Sequence, residues 1–248
     1  MMPCTKRMNG IAKFAREDFA ANTLPNGETL MLRFYLYIII FSLPIIGFAE
    51  NFIAGKDYEI INNTSTYELA NQNTSCNKQI KVVEFFYYGC HWCYLLEPQL
   101  MQWVKEQKKI KFSRVAVIFN KDWLYYAKAY YLAALIGQDK KLSRNLFQAI
   151  QVKKQVLNNN QAMINFFIAN GIDQEIAKNA FENSTTIEMQ ISNSHILMSQ
   201  FIIKGVPAII INNQFKVDLQ MTRGMENFFK VLDFLITKIE QENNTCDS

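Results

Sequence analysis

A strand of interior type that runs straight into a helix, with two cysteines at the junction, restricts this chain more than any other feature. Ile80 to Tyr87 (IKVVEFFY) is a β-branched and aromatic run of strand length, apolar enough to lie inside a sheet. After Gly89 the pattern turns helical, with Cys93, Leu96, Leu100, Trp103 and Val104 on one stripe. Lys111 to Phe119 (KFSRVAVIF) alternates and then becomes wholly apolar, a second strand. Two strands joined through a helix pair as parallel neighbours by a crossover, so the segment predicts a β-α-β unit.

The rest of the chain fits around that unit. Tyr58 to Ile61 reads as a short strand, followed by an Asn/Ser/Thr-rich loop through Cys76. From Lys121 to about Lys204 the periodicity is helical throughout: Trp123–Ile136, Leu142–Val152, Ala162–Asn170, Gln174–Phe181 and Ile187–Ile203. Pro207–Asn212 and Gln214–Asp218 read as a hairpin turning at Asn212-Asn213, and a last helix covers about Met225 to Gln241. The order implies an α/β fold: a small mixed sheet flanked by helices and interrupted by an all-helical insertion. The expected boundaries are 50–120 and 204–248 for the sheet part and 121–203 for the insertion.

At 50% hydrophobic and 19% charged, the 248 residues suit a folded protein with a real core. A net charge of +4, evenly spread, gives no footprint for nucleic acid or an anionic membrane surface. Phe34 to Ile46 is apolar apart from Ser42, contains Pro44, and is shorter than the roughly 20 residues of a membrane span. Arg33 precedes it and Gly47-Phe48-Ala49 follows, the pattern of a signal peptide cut after Ala49. Residues 1–49 are therefore read as a leader, with Met31 as the expected translation start and 1–30 as an over-extension. Export permits disulfides among the remaining cysteines, Cys76, Cys90, Cys93 and Cys246.

The chemistry concentrates in Cys90-His91-Trp92-Cys93. A helix N-terminus carries unpaired N–H groups and a partial positive charge, which favour a thiolate placed there. Such a setting brings a cysteine from ~8.5 down to roughly 3.5–7.5. Cys90 is then the exchanging sulfur and Cys93, one turn further in, the resolving one. Zinc would need two more ligands, and His195 lies far off in the sequence. Covalent haem attachment needs a histidine where Tyr94 stands. A structural disulfide across so small a loop would be a poor staple, so the pair reads as redox-active, with neither metal nor cofactor. Gly205-Val206-Pro207 precedes a strand; its proline marks either a cis bond or an ordinary strand start.

Val83 to Tyr94 (VEFFYYGCHWCY), with Gly205-Val206-Pro207-Ala208 beyond a long helical segment, resembles the DsbA family, as do Ala54 to Tyr58 and Phe167 to Ile172. The resemblance implies a thioredoxin-like fold with a helical insertion, located in the periplasm. It also implies a thiol:disulfide oxidoreductase that introduces disulfides into unfolded or reduced exported proteins. A quinone-linked inner-membrane reoxidase of the DsbB kind would regenerate it. Pro207 would be cis and face Cys90, with the Val206 backbone pairing with substrate. Glu84 corresponds to the family's buried acid, and Arg114 stands where its lysine partner would be. The family's best-known members carry Pro-His between the cysteines; here His91-Trp92 moves the histidine by one position. His91 and Trp92 are expected to tune the dithiol, and Glu84 to relay a proton to Cys93 or serve only in an ion pair. Alternatives are a disulfide isomerase or reductase of the same fold and a periplasmic chaperone-like binding protein. Cys76 and Cys246 are expected to pair within the chain, against two separate thiols or an intermolecular bond.

Overall fold

In the computed structural model, which describes residues 51–61 and 79–244, a short strand β1 (Glu59–Ile60) precedes the β-α-β unit. That unit is β2 (Ile80–Phe86), α1 (His91–Glu106) and β3 (Ile110–Ala116). There follow α2 (Trp123–Leu135), α3 (Asp139–Phe147), a π-helical turn (Gln148–Val152), α4 (Asn160–Ala169), α5 (Gln174–Glu182) and α6 (Thr185–Gln200). The chain then returns through β4 (Ala208–Ile211) and β5 (Phe215–Asp218), a single-turn α7 (Leu219–Thr222) and α8 (Met225–Asn244). The leader with its cut after Ala49, and the pair Cys76 and Cys246, lie outside the described residues.

The strands form one sheet in the order β1-β5-β4-β2-β3, parallel between β2 and β3 and antiparallel elsewhere. This is a thioredoxin-like fold with a helical insertion between β3 and β4. Side chains alternate across a strand, so the two faces of the sheet bury different partners. Ile80, Val82, Ile209 and Ile211 pack under Leu96, Leu100 and Trp103 of α1 and under Val231, Leu232 and Leu235 of α8. Phe85, Val115 and Ile210 turn the other way, against Phe201 and Ile203 at the end of α6. Trp103 Nε1 donates to Asp233 Oδ1 at 2.7 Å and ties α1 to α8. That packing holds α1 helical through Pro98, whose local cost is about 3 kcal/mol.

Most expected elements are present, and the differences have local causes. The stripe Leu142–Val152 is two pieces, because a wider turn replaces the α-helix from Gln148 onward. The strand expected over Lys111–Phe119 stops at Ala116; Val117 and Ile118 continue as irregular chain packed into the cores, and Phe119 is exposed. Asn212 and Asn213 both have positive φ (51° and 59°), as a two-residue type I′ hairpin turn requires. The unpredicted α7 is one turn capped by Asp218, whose Oδ1 accepts from Gln220 N and Met221 N. A four-residue helix is too short to leave a periodic signal.

Candidate active site

The sheet delivers the dithiol to the C-terminal end of β2. Gly89 has no room for a side chain: an added Cβ would lie 2.4 Å from the Tyr87 ring. That ring stacks on Trp123, with centroids 3.6 Å apart and planes within 3°. The chain therefore passes tightly from strand to helix, and Cys90 becomes the N-cap of α1. Its Sγ accepts from Cys93 N at 3.2 Å and, as a thiol, donates to Val206 O at 3.4 Å. The Val206–Pro207 bond is cis. Folding thus brings together Cys90, Cys93, Val206 and Pro207, the last two from more than a hundred residues away.

The two sulfurs differ sharply. Cys90 is half-buried and Cys93 has no exposed surface. Hydrogen bonding from the Cys93 thiol lowers Cys90 most, burial opposes it, and the amides of Cys93 and Trp92 add to the lowering; the result is about 7 against an ordinary 9.0. His91 is not among these causes. It lies exposed, its ring 6.2 Å from Trp92 and 6.5 Å from Tyr94. Burial drives Cys93 the other way, well above the ordinary thiol range, with Cys90 and Glu84 adding to the rise.

Beneath α1 lies a polar cluster in an apolar layer. Glu84 on β2 and Arg114 on β3 are register partners, so their side chains share a face. Glu84 is fully buried. Arg114 Nε lies 2.6 Å from Glu84 Oε2, an ion pair by distance whose N–H does not point along the contact. The same guanidinium grips Glu97 of α1 with two bonds, Nη1 to Oε1 at 3.2 Å and Nη2 to Oε2 at 2.6 Å, and lies 4.0 Å over the Phe86 ring. Burial raises Glu84 most, Arg114 opposes it, and Glu97 and Cys90 add to the rise, from 4.5 to about 7. Burial works against charge on Arg114, yet Glu84 and Glu97 together keep it protonated. Glu97 escaped the sequence reading. Its signal was the four-residue step from Cys93, which places both on one helix face.

Trp92 is 56% exposed and lines a cleft of about 850 Å³. Val206, Pro207, Leu219, Met221 and Met225 line it as well. Glu59, Lys204, Lys216, Asp218 and Arg223 also line it, so the cleft beside Val206 and Pro207 is of mixed character, with room for an extended peptide.

The sheet order, the dithiol capping the first helix of the β-α-β unit and the cis-proline beside it define a thioredoxin-fold dithiol protein. Residues 101–235 match the sequence model of the DSBA-like thioredoxin domain, and the chain belongs to that family. Among curated relatives, the thiol:disulfide interchange protein DsbA of Burkholderia cepacia is 33% identical over 120 residues, 48% of this chain and 54% of that protein. Its counterpart in Pseudomonas syringae pv. tomato is 28% identical over 125 residues, 50% of this chain and 55% of that one. The chain thus spans about half the length of the curated relatives it matches. Among solved structures, Pseudomonas aeruginosa DsbA superposes with a TM-score of 0.69 at 25% identity, covering 81% of this chain and 99% of that one. The oxidoreductase DsbA from Xylella fastidiosa, 22% identical with a TM-score of 0.65 over 76% of this chain and 98% of that one, shares the fold.

Proposed function

We propose that this protein is a thiol:disulfide oxidoreductase that donates the Cys90–Cys93 disulfide to reduced exported proteins. The observation that carries the reading is the Cys90 sulfur at the N-terminus of α1, held by Cys93 N and lying beside Val206 O. In the oxidised protein a substrate thiolate attacks Cys90 Sγ, forming a mixed disulfide and releasing Cys93. The departing Cys93 takes a proton, for which the buried Glu84 carboxyl is the source. A second substrate thiolate then attacks the substrate sulfur and expels the Cys90 thiolate. Two electrons pass from the substrate dithiol to the protein dithiol. A Cys90 thiol lowered to about 7 leaves readily and suits this last step.

Val206 and Pro207 bind the substrate backbone at the cleft, and Trp92 covers its side chain next to the dithiol. His91, exposed beside Trp92, meets the incoming chain. The sheet part, 50–120 and 204–248, carries the chemistry, and the insertion 121–203 buttresses it. The working place is the periplasm, reached by a leader cut after Ala49. The protein is returned to the disulfide form by a quinone-linked membrane reoxidase of the DsbB kind.

The test is transfer of a disulfide from the oxidised protein to a reduced two-cysteine peptide, one bond per protein, followed by mass. Wild type should oxidise the peptide stoichiometrically and Cys90→Ser should not; a wild-type protein that leaves the peptide reduced overturns the reading. Acid quenching and alkylation in intact cells then reads direction. A mostly oxidised Cys90–Cys93 pair means an oxidase, and a mostly reduced pair means an isomerase or reductase.

A further inference from the structure

Tyr88, two residues before Cys90, is held along its whole length by one row of residues from the helical insertion. Its hydroxyl pairs with Ser143 Oγ at 2.6 Å, its ring meets the Phe147 ring edge-on at 4.8 Å, and its carbonyl accepts from Gln151 Nε2 at 2.8 Å. Ser143, Phe147 and Gln151 are spaced four apart. In a continuous α-helix each four-residue step overshoots a full turn by about 40°, so the third member would swing away from the first. Here the row crosses from α3 into the π-helical turn, where Lys153 N bonds back to Gln148 O. A turn closed over five residues rotates less per residue and brings Gln151 back into line.

The link to the dithiol is short. The Tyr88 carbonyl belongs to the Tyr88–Gly89 peptide, and Gly89 is the one residue between that peptide and Cys90. Cys90 N in turn bonds to Tyr87 O at 3.0 Å. Tyr87 and Tyr88 are thus clamped, the first by Trp123 and the second by the Ser143 row. Of the side-chain contacts that clamp the two tyrosines, the Gln151 bond is the one made to backbone, and it restrains the peptide that leads into Cys90.

We propose that Gln151 is a positioning residue for the Cys90 sulfur, and that the wide turn Gln148–Val152 serves to deliver its amide to the Tyr88 carbonyl. The proposal rests on the exchange chemistry proposed above only for its effect on rate; its effect on the sulfur can be read without a substrate. Gln151→Met keeps length and volume but removes the donor, and Gln151→Glu sets an acceptor against the carbonyl.

Thiolate ultraviolet absorbance of the reduced protein against pH should show the Cys90 midpoint rising by about half to one pH unit in Gln151→Met, the worth of one lost hydrogen bond. Disulfide transfer to the two-cysteine peptide should slow about three- to tenfold in its maximal single-turnover rate, with the peptide concentration at half that rate unchanged. Ser143→Ala, which loosens only the far end of Tyr88, should lower Tm and leave the Cys90 midpoint in place. Wild-type midpoints in both Gln151 variants would overturn the proposal, as would an equal shift in Ser143→Ala, which would make the row simple packing. A wild-type protein inactive on the peptide would sink the proposed function, and the midpoints would still decide this inference.

Discussion

The first turn of α1 treats the same side chain in opposite ways at its two ends. At the surface end Cys90 meets amide donors, a cleft and partial solvent, and its thiol falls to about 7. At the buried end Cys93 has no exposed surface and sits over a carboxyl that is itself pushed up to about 7. One sulfur is prepared to be a thiolate and the other to hold its proton. The asymmetry comes from position, since three residues of helix separate an open N-cap from the core.

Removing the buried end altogether gives the largest effect. Cys93→Ala should leave Cys90 to form mixed disulfides that nothing resolves, reducing turnover by about a thousandfold or more. Non-reducing electrophoresis of the exported fraction should show adducts that dithiothreitol releases. Arg114→Met comes next. It strands Glu84 and Glu97 without their shared cation, and breaking such a buried pair costs about 3–5 kcal/mol in urea unfolding.

Glu84→Gln tests the same end more gently. Because the Glu84 pKa is raised from 4.5 to about 7, its favourable share is present below the first value and lost as pH rises through the second. The variant has no such loss. It should gain on the reduced wild type as pH rises, by on the order of 2 kcal/mol at neutral pH and above, and should slow release of Cys93. Equal pH profiles for the two proteins would mean that folding leaves the Glu84 pKa where it is in the unfolded chain.

The surface end carries the smaller effects. Cys90 is lowered, so its thiolate stabilises the reduced protein fully above the ordinary thiol pKa, and this share fades as pH falls through about 7. Absorbance should show one thiolate step near 7 and a second well above the ordinary thiol range. Trp92→Ala should do least, raising the peptide concentration at half the maximal single-turnover rate about threefold with that rate kept, since it removes contact area in the cleft and no bond to either sulfur.

Much of this was legible in order of chain. The run IKVVEFFY, the stripe from Cys93 to Val104 and the paired asparagines at 212 and 213 are local patterns, and the structure reproduces them as strand, helix and hairpin turn. The position of Cys90 at a helix start was readable for the same reason: a change from strand to helix periodicity falls at Gly89. His91 was expected to share in lowering the Cys90 thiol. The causes of that lowering present at the site are the Cys93 thiol and the amides of the turn, a matter of atomic distances that residue type does not reveal.

By itself the sequence determined the β-α-β unit, the dithiol at its junction and the helical character of the insertion, because hydrophobic periodicity is a property of neighbours along the chain. Only tertiary structure decided which distant groups surround the sulfurs. Val206 O reaches Cys90 because β4 pairs with β2, Glu97 reaches Glu84 because Arg114 lies in register between them, and Gln151 reaches Tyr88 because one turn of helix is wide. Each contact depends on how closed loops of chain come to rest against a common core. No pattern of spacing in one segment carries that information.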